Sequence, residues 1–388
     1  MSVFKHSRQS SGGHRPVQAG GGRSRVGSAP VAGLSPGLRA VGRGVADNST
    51  GRFEHQTRVP LDDGWDIAED DRILRTELSF ETPRSVISYN KSPDIPFDRS
   101  INPYRGCEHG CVYCFARPGH CYLGMSAGLD FETRLIARPE APQVLARELR
   151  AKRYKVAPIA IGTYTDPYQP VEREQRIMRA ILQVLSDFNH PVQITTKGSL
   201  VERDIDILAP MAERGLVAVG VSLTTMDARL SRSLEPRAPA PKRRLEMIRN
   251  LAAAGIPTRA MIAPVIPALT DHEIETLLEQ AAGAGASHAV FILLRLPHEV
   301  APLFQSWLQS HHPDAASRVM GRLSDMRGGK AYDADFAQRM SGTGPFAQLI
   351  AARFSLACKR YGLTQGRETL RSDLFACPPE PGDQLSLF

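Results

Sequence analysis

At 388 residues, with 42% hydrophobic and 23% charged side chains, the chain has the make-up of a globular protein rather than a membrane or low-complexity one. No apolar run approaches the roughly 18–20 residues of a membrane helix and no secretory signal is visible, so a cytoplasmic location is expected. The formal charge of +7 sits in residues 1–60, which hold nine Lys/Arg against Asp47 and Glu54, so the body is not a basic protein and any pull on nucleic acid comes from that segment.

Residues 1–60 are rich in Gly, Ser and Arg and poor in aromatics. Such a segment cannot bury enough apolar surface to offset its ordering entropy, which predicts a disordered basic tail; a solvated tail without a partner fits its charge equally well. Residues 61–98 read as an irregular lead-in with one extended piece near 85–89. From Arg99 onward β-rich runs alternate with helical patterns. The strands are expected at residues 100–104, 158–163, 191–196, 216–223, 257–265 and 288–295. Between them, Ile177, Ile181, Leu185 and Phe188 recur at helical spacing and mark one buried face. The runs IAIG, VAVGVSL and AVFILL are almost continuously apolar, as strands covered on both faces should be. Strand intervals are mostly about thirty residues, the length of a βα unit. Residues 99–300 are therefore an α/β domain of six βα units, a partial barrel whose ligands gather at the C-terminal strand ends.

Residues 301–375 read as a mostly helical extension, in which Phe346, Ile350, Phe354, Cys358 and Tyr361 share a face and make Cys358 a core residue. Residues 376–388 form a flexible Pro-rich tail ending in QLSLF.

Six cysteines in such a chain argue against a disulfide framework, and three of them fall within eight residues: Cys107-x3-Cys111-x2-Cys114. They occupy the Gly-rich loop INPYRGCEHGCVYCFARPGHCYLG after the first barrel strand. Thiolates suit iron–sulfur clusters and zinc. A [4Fe–4S] cube takes four thiolates, so three from one loop leave an iron open. A zinc site completed by His109 or Cys121 is the alternative.

CxxxCxxC with Tyr113 before the last Cys resembles the radical SAM signature. The resemblance covers about residues 95–300 through SINPYRGCEHGCVYC, GTYTDPYQPVE, TTKGSLVERDIDIL, VSLTTMD, LEPRAPAPKRRLEMI and APVIPALTD. It is nearest to the spore photoproduct lyase-like branch, also described as DNA repair photolyase-like. It implies a partial (β/α)6 radical SAM barrel. It also implies a [4Fe–4S] cluster on Cys107, Cys111 and Cys114, S-adenosyl-L-methionine (SAM) on the open iron, and a cellular electron donor. By the same resemblance Thr165 and Asp166 lie near the SAM amino group and ribose, Lys197 meets the SAM carboxylate, and Ser222 is a polar contact to that group. A cation for a carboxylate in a partly dry pocket is also sound chemistry.

One departure matters. Spore photoproduct lyase carries a hydrogen-donating Cys at the end of its second strand, where this chain has Gly162, Thr163 and Tyr164. Cys121 and Tyr164 are the substitute donor candidates, with Tyr122 beside them; Cys121 also reads as a small buried filler, and His120 as a loop cap. Glu235, Arg237, Lys242, Arg243 and Arg244 after the fourth strand either meet phosphates or solvate a helix start. Gln384, Leu385, Leu387 and Phe388 resemble the QLxLF peptide with which bacterial repair and replication proteins dock on the sliding clamp. The chain thus reads as a SAM-cleaving radical enzyme, of lyase or oxidoreductase type, with nucleic acid the favoured substrate. The alternatives are a peptide or metabolite modifier, or a non-catalytic Fe–S or zinc module tethered to the clamp.

Overall fold

The computed structural model describes residues 42–45, 48–53 and 74–379. In chain order its strands are β1 (Glu77–Phe80), β2 (Ser88–Tyr89), β3 (Arg99–Ile101), β4 (Tyr104–Arg105), β5 (Arg134–Ala137), β6 (Ile159–Ile161), β7 (Val192–Thr196), β8 (Val217–Ser222), β9 (Thr258–Val265), β10 (His288–Leu293) and β11 (Thr364–Gln365). A large sheet runs β2-β3-β6-β7-β8-β9-β10-β11, and β1-β5-β4 form a small second sheet. In the large sheet only β2–β3 is antiparallel; each later strand lies parallel beside its predecessor. All six expected barrel strands are present, side by side in one mostly parallel α/β sheet, in keeping with the partial barrel that their spacing implied.

Burial follows the sequence pattern. Every residue of β6 and β8 is buried, and the helix Ile177–Asp187 buries Ile177, Ile181 and Leu185 against the sheet, together with Met178 and Leu182. β10 is only partly buried, because nothing but the two-residue edge strand β11 lies beyond it. Among the described residues no helix is long and apolar enough to cross a membrane.

Two expectations need correction. The first strand is not continuous: it breaks after Ile101, and Tyr104–Arg105 cross into the small sheet. Pro103 lacks the N–H a ladder needs, so the chain changes sheets there. The 301–375 extension is mostly helical, as expected. After the helices Val300–His311, Pro313–Asp325 and Gly344–Tyr361 it supplies β11 and then returns beneath the sheet. There Glu368 pairs with Arg259 at 2.8 Å, and Arg371 N–H donates to the Gly215 carbonyl at 3.0 Å. Cys358 is fully buried in this extension, as its spacing indicated. Finally, residues 42–45 and 48–53, inside the segment whose composition predicts disorder, lie against the cysteine loop. The rest of residues 1–60, and the peptide Gln384, Leu385, Leu387 and Phe388, fall outside the described residues.

Candidate active site

The cysteine loop leaves β4 at the C-terminal side of the parallel strands and is fixed mostly through its backbone. Cys107 N–H donates to the Phe131 carbonyl at 2.9 Å, and Val112 N–H to the Leu234 carbonyl at 3.0 Å. Gln169 grips the loop twice, accepting from Glu108 N–H at 2.8 Å and donating to the Gly106 carbonyl at 3.2 Å. The strongest hold is Arg117. Its guanidinium is fully buried and donates to the carbonyls of Cys111, Gly110, Ala127 and Gly128 at 2.9–3.2 Å and to Glu132 at 2.5 Å. The tail segment closes over this clamp. Gly44 N–H donates to the second Glu132 oxygen at 2.8 Å, and Arg43 donates to the Glu132 carbonyl at 2.8 Å. Gly44 passes so near Gly110 that a Cβ there would sit 1.7 Å from the Gly110 carbonyl oxygen, so no other residue fits.

Cys107 and Cys111 are buried and Cys114 is partly so, all three as free thiols. Burial pushes all three thiols up, Cys111 to about 12, and the nearby charges of their fellow cysteines add to the rise at Cys107 and Cys111. Against that, the backbone amides of Ala116 and Arg117 favour the thiolate at Cys114, and that of Asp166 favours it at Cys107. Lys197 and Arg244 favour the thiolate at Cys111. Three soft donors in a dry loop, with backbone amides that favour the thiolate, fit an iron–sulfur cluster, whose iron takes the place of the thiol protons. Among the described residues no three His, Cys, Asp or Glu side chains converge on a single-ion site; the thiolates of a cube bind separate iron corners and need not do so.

Across from the loop lies a buried charge network. Glu235, fully buried, bonds to Arg244 and to the Tyr113 hydroxyl, and accepts from Thr224 at 2.8 Å. Burial alone would raise the Glu235 carboxyl, but Arg244, Lys197 and these hydrogen bonds bring it down to about 2. Arg244 also donates to the Ser222 carbonyl at 3.1 Å, tying the end of β8 to the helix Pro241–Ala253. Lys197, directly after β7, stands 3.9 Å from Glu235 and 5.9 Å from the centre of the Tyr113 ring. Its ammonium therefore faces the same basin as the aromatic residue between Cys111 and Cys114.

Asp166 has a different surrounding. It accepts from Thr196 Oγ1 at 2.6 Å, Lys197 N–H at 2.7 Å and Tyr168 N–H at 2.9 Å. His109 Nδ1 lies 3.3 Å away, near enough for an ion pair but out of hydrogen-bond alignment. Burial would raise this carboxyl; His109 and the hydrogen bonds overcome it and hold it at about 2. Asp166 thus stitches the loop after β6 to the end of β7. Thr165 is buried and spends its hydroxyl on the Tyr104 carbonyl at 2.9 Å, and Ser222 is buried at the end of β8.

The donor candidates differ in setting. Cys121 is buried, with Arg52 and Glu299 as its charged neighbours. Tyr164 is 40% exposed, stands edge-to-face with Phe115, and is raised to about 12 by burial and by Cys114. Tyr122 packs on Phe53 of the tail segment. The His120 ring nitrogen meets the Arg134 carbonyl at 3.0 Å, as a loop cap does. The charged run after β8 is not a single solvated face. Glu235 and Arg244 are interior, Arg243 pairs with Glu202, and Arg237 and Lys242 are exposed. Sequence reasoning missed Arg117 and Glu132 altogether; an Arg beside Pro-Gly reads as surface, and no local pattern joins it to an acid fifteen positions on.

Comparison with known proteins matches this arrangement. The model of the Radical SAM superfamily covers residues 101–281, from β3 into the helix Ile274–Gly283. An uncharacterized protein of Mycobacterium tuberculosis is 40% identical over 291 residues, 74% of this chain and 79% of that one. The radical SAM Nalpha-GlyT isomerase of Pseudomonas phage M6 is 25% identical over 203 residues, 52% of this chain and 40% of that one. Among solved structures, spore photoproduct lyase complexed with dinucleoside spore photoproduct superposes with a TM-score of 0.52 at 13% identity, covering 74% of this chain and 81% of that one. With its cysteine loop at the C-terminal ends of an open parallel sheet, the chain belongs to the radical SAM superfamily and shares the fold of spore photoproduct lyase.

Proposed function

We propose that this chain is a radical enzyme that cleaves SAM at a [4Fe–4S] cluster held by Cys107, Cys111 and Cys114, and that its substrate is a nucleic acid. The observation that carries the reading is a set of three thiols on one loop, near enough to raise one another, beside Lys197 and the Tyr113 ring. When bound, the cluster supplies the electron that splits the SAM sulfonium and yields a 5′-deoxyadenosyl radical for hydrogen abstraction. Lys197 offers the cation for the SAM carboxylate, and Glu235 with Arg244 holds Lys197 and Tyr113 in place. Asp166 and Thr165 set the loop that closes the basin beside Cys107, and Ser222 forms its β8 edge. The Arg117 clamp and the tail segment exclude water from behind the loop. Tyr164, on the exposed side of Cys114, is the better placed hydrogen donor; Cys121 lies under the tail.

Nucleic acid is favoured by the dinucleoside ligand of spore photoproduct lyase, by the basic 1–60 segment, and by the likeness of Gln384, Leu385, Leu387 and Phe388 to clamp-docking peptides. The test is anaerobic reconstitution of the full chain, with iron and sulfide assayed and 5′-deoxyadenosine measured with DNA, RNA, a peptide or none of them. The parent should hold about four iron and four sulfide and form 5′-deoxyadenosine faster with nucleic acid, while Cys111→Ala should lose at least 100-fold. Equal yields from parent and variant, or zinc without iron and sulfide, would overturn the reading. Stimulation by a peptide but by neither nucleic acid would overturn the substrate class.

A further inference from the structure

Beside the cofactor-facing residues, and sharing none of them, lies a cleft of about 280 Å³. Its walls are the loops after β6, β7 and β8, and His109 of the cysteine loop completes it. Arg173, Arg232 and Arg237 bring three guanidinium groups to it and Ser199 brings a hydroxyl; among the described residues no carboxylate lines it. The acids behind its walls are already engaged. Glu108 takes Thr76 and Arg237, Glu172 takes Tyr104 and Arg203, and Asp166 takes Thr196 and two backbone N–H groups. Arg173 and Arg232 are exposed, and Arg232 uses one nitrogen on the Pro236 carbonyl at 3.1 Å, leaving the rest of its fork open.

We propose that this cleft binds a phosphate group of the substrate. Planar guanidinium forks match phosphate oxygens in pairs; Arg173 and Arg232 have no carboxylate partner among the described residues, and Arg237, paired with Glu108 at 3.1 Å, keeps further donors on its fork, so together they make a field that a dianion or a diester satisfies. The position suits an anchor rather than a reacting centre. Arg237 N–H donates to the His109 carbonyl at 3.3 Å, and His109 lies between Cys107 and Cys111 in the loop. A phosphate held there is fixed relative to the cluster ligands while the rest of the molecule reaches the basin, which is how phosphate contacts set register without reading sequence. A phosphate-anchored substrate presupposes the enzyme proposed above; binding, however, is measured without SAM or turnover, so the two fail separately.

The experiment uses the full reconstituted chain and a fluorescent 12-nucleotide single strand, followed by anisotropy across a salt series. Inorganic phosphate, pyrophosphate and a nucleoside monophosphate serve as competitors. The double variant Arg173→Gln/Arg232→Gln should bind the strand at least tenfold more weakly. Its slope of log Kd against log salt should fall by about 0.7 for each phosphate that is no longer neutralised. Arg249→Gln removes the same kind of charge from an exposed helix position outside the cleft and should bind as the parent does. Direct binding of pyrophosphate or the monophosphate, abolished in the double variant while the strand does not bind, would assign the cleft to a small phosphorylated substrate. Equal affinities in parent and double variant, or equal losses in the double variant and Arg249→Gln, would overturn the proposal.

Discussion

Two fully buried arginine–carboxylate pairs flank the cysteines, Arg117 with Glu132 and Arg244 with Glu235, and they do different things. Arg117 turns away from the basin and spends its donors on four loop carbonyls. Arg244 and Glu235 reach Tyr113, Thr224 and Lys197, which face the basin. The first pair fixes where the sulfurs are; the second fixes the charge they and their ligands meet. One ion-pair chemistry therefore serves as a clamp on one side and as an electrostatic setting on the other. Burial makes both costly to break, since leaving one partner of a buried pair alone costs about 3–5 kcal/mol.

The largest effect should come from the clamp. Arg117→Met leaves the buried Glu132 without its guanidinium and four carbonyls each short of one donor. It should lower stability by about 3–5 kcal/mol in denaturant unfolding and cut iron content by more than half. Normal iron at parental stability would show that the loop holds itself. Next is the charge side. Lys197→Met removes the cation proposed for the SAM carboxylate while leaving the Arg117 bonds to the loop carbonyls in place. Iron should stay near the parental value while the Kd for SAM rises about tenfold or more, in line with the 1.5–3 kcal/mol of a charge-assisted hydrogen bond. If iron falls along with SAM affinity, the division between the two sides fails.

Much of this is legible in the amino-acid sequence. The cysteine spacing, five of the six barrel strands to within about two residues at each end, and the placement of Lys197 directly after β7 all follow from periodicity and motif. The clamp does not, because nothing local marks Arg117 as interior; its partners are carbonyls, which carry no sequence signature. Glu235 and Arg244 stand nine positions apart on either side of a Pro-rich turn, so their pairing is tertiary and the run they belong to reads as a solvated helix start. The tail segment misleads for a similar reason. Glycine and arginine at 42–53 look like disorder by composition, yet Gly44 is required by its close approach to Gly110, and Arg43 by the Glu132 carbonyl. Pro103 is plain to see, but its effect on the first strand depends on there being a second sheet to receive Tyr104.

The smallest effects should locate the edge of the clamp. Tyr164 stands over Gly119, two residues beyond Arg117, and an added Cβ at Gly119 would lie 1.5 Å from the Tyr164 hydroxyl. Gly119→Ala must therefore displace the ring, at a cost of about 1–3 kcal/mol as overpacking, whereas Tyr164→Phe removes only the O–H and should change stability by about 0.5 kcal/mol or less. Because Arg117 reaches its carbonyls without Tyr164, iron content should be parental in both, measured beside thermal unfolding. Loss of iron in Gly119→Ala would extend the clamp to this face and make the ring part of the cluster's housing. With iron intact, a fall in substrate turnover shared by Tyr164→Phe and Gly119→Ala, but absent from Cys121→Ser, would assign the missing hydrogen donor to the phenol rather than to the thiol beneath the tail.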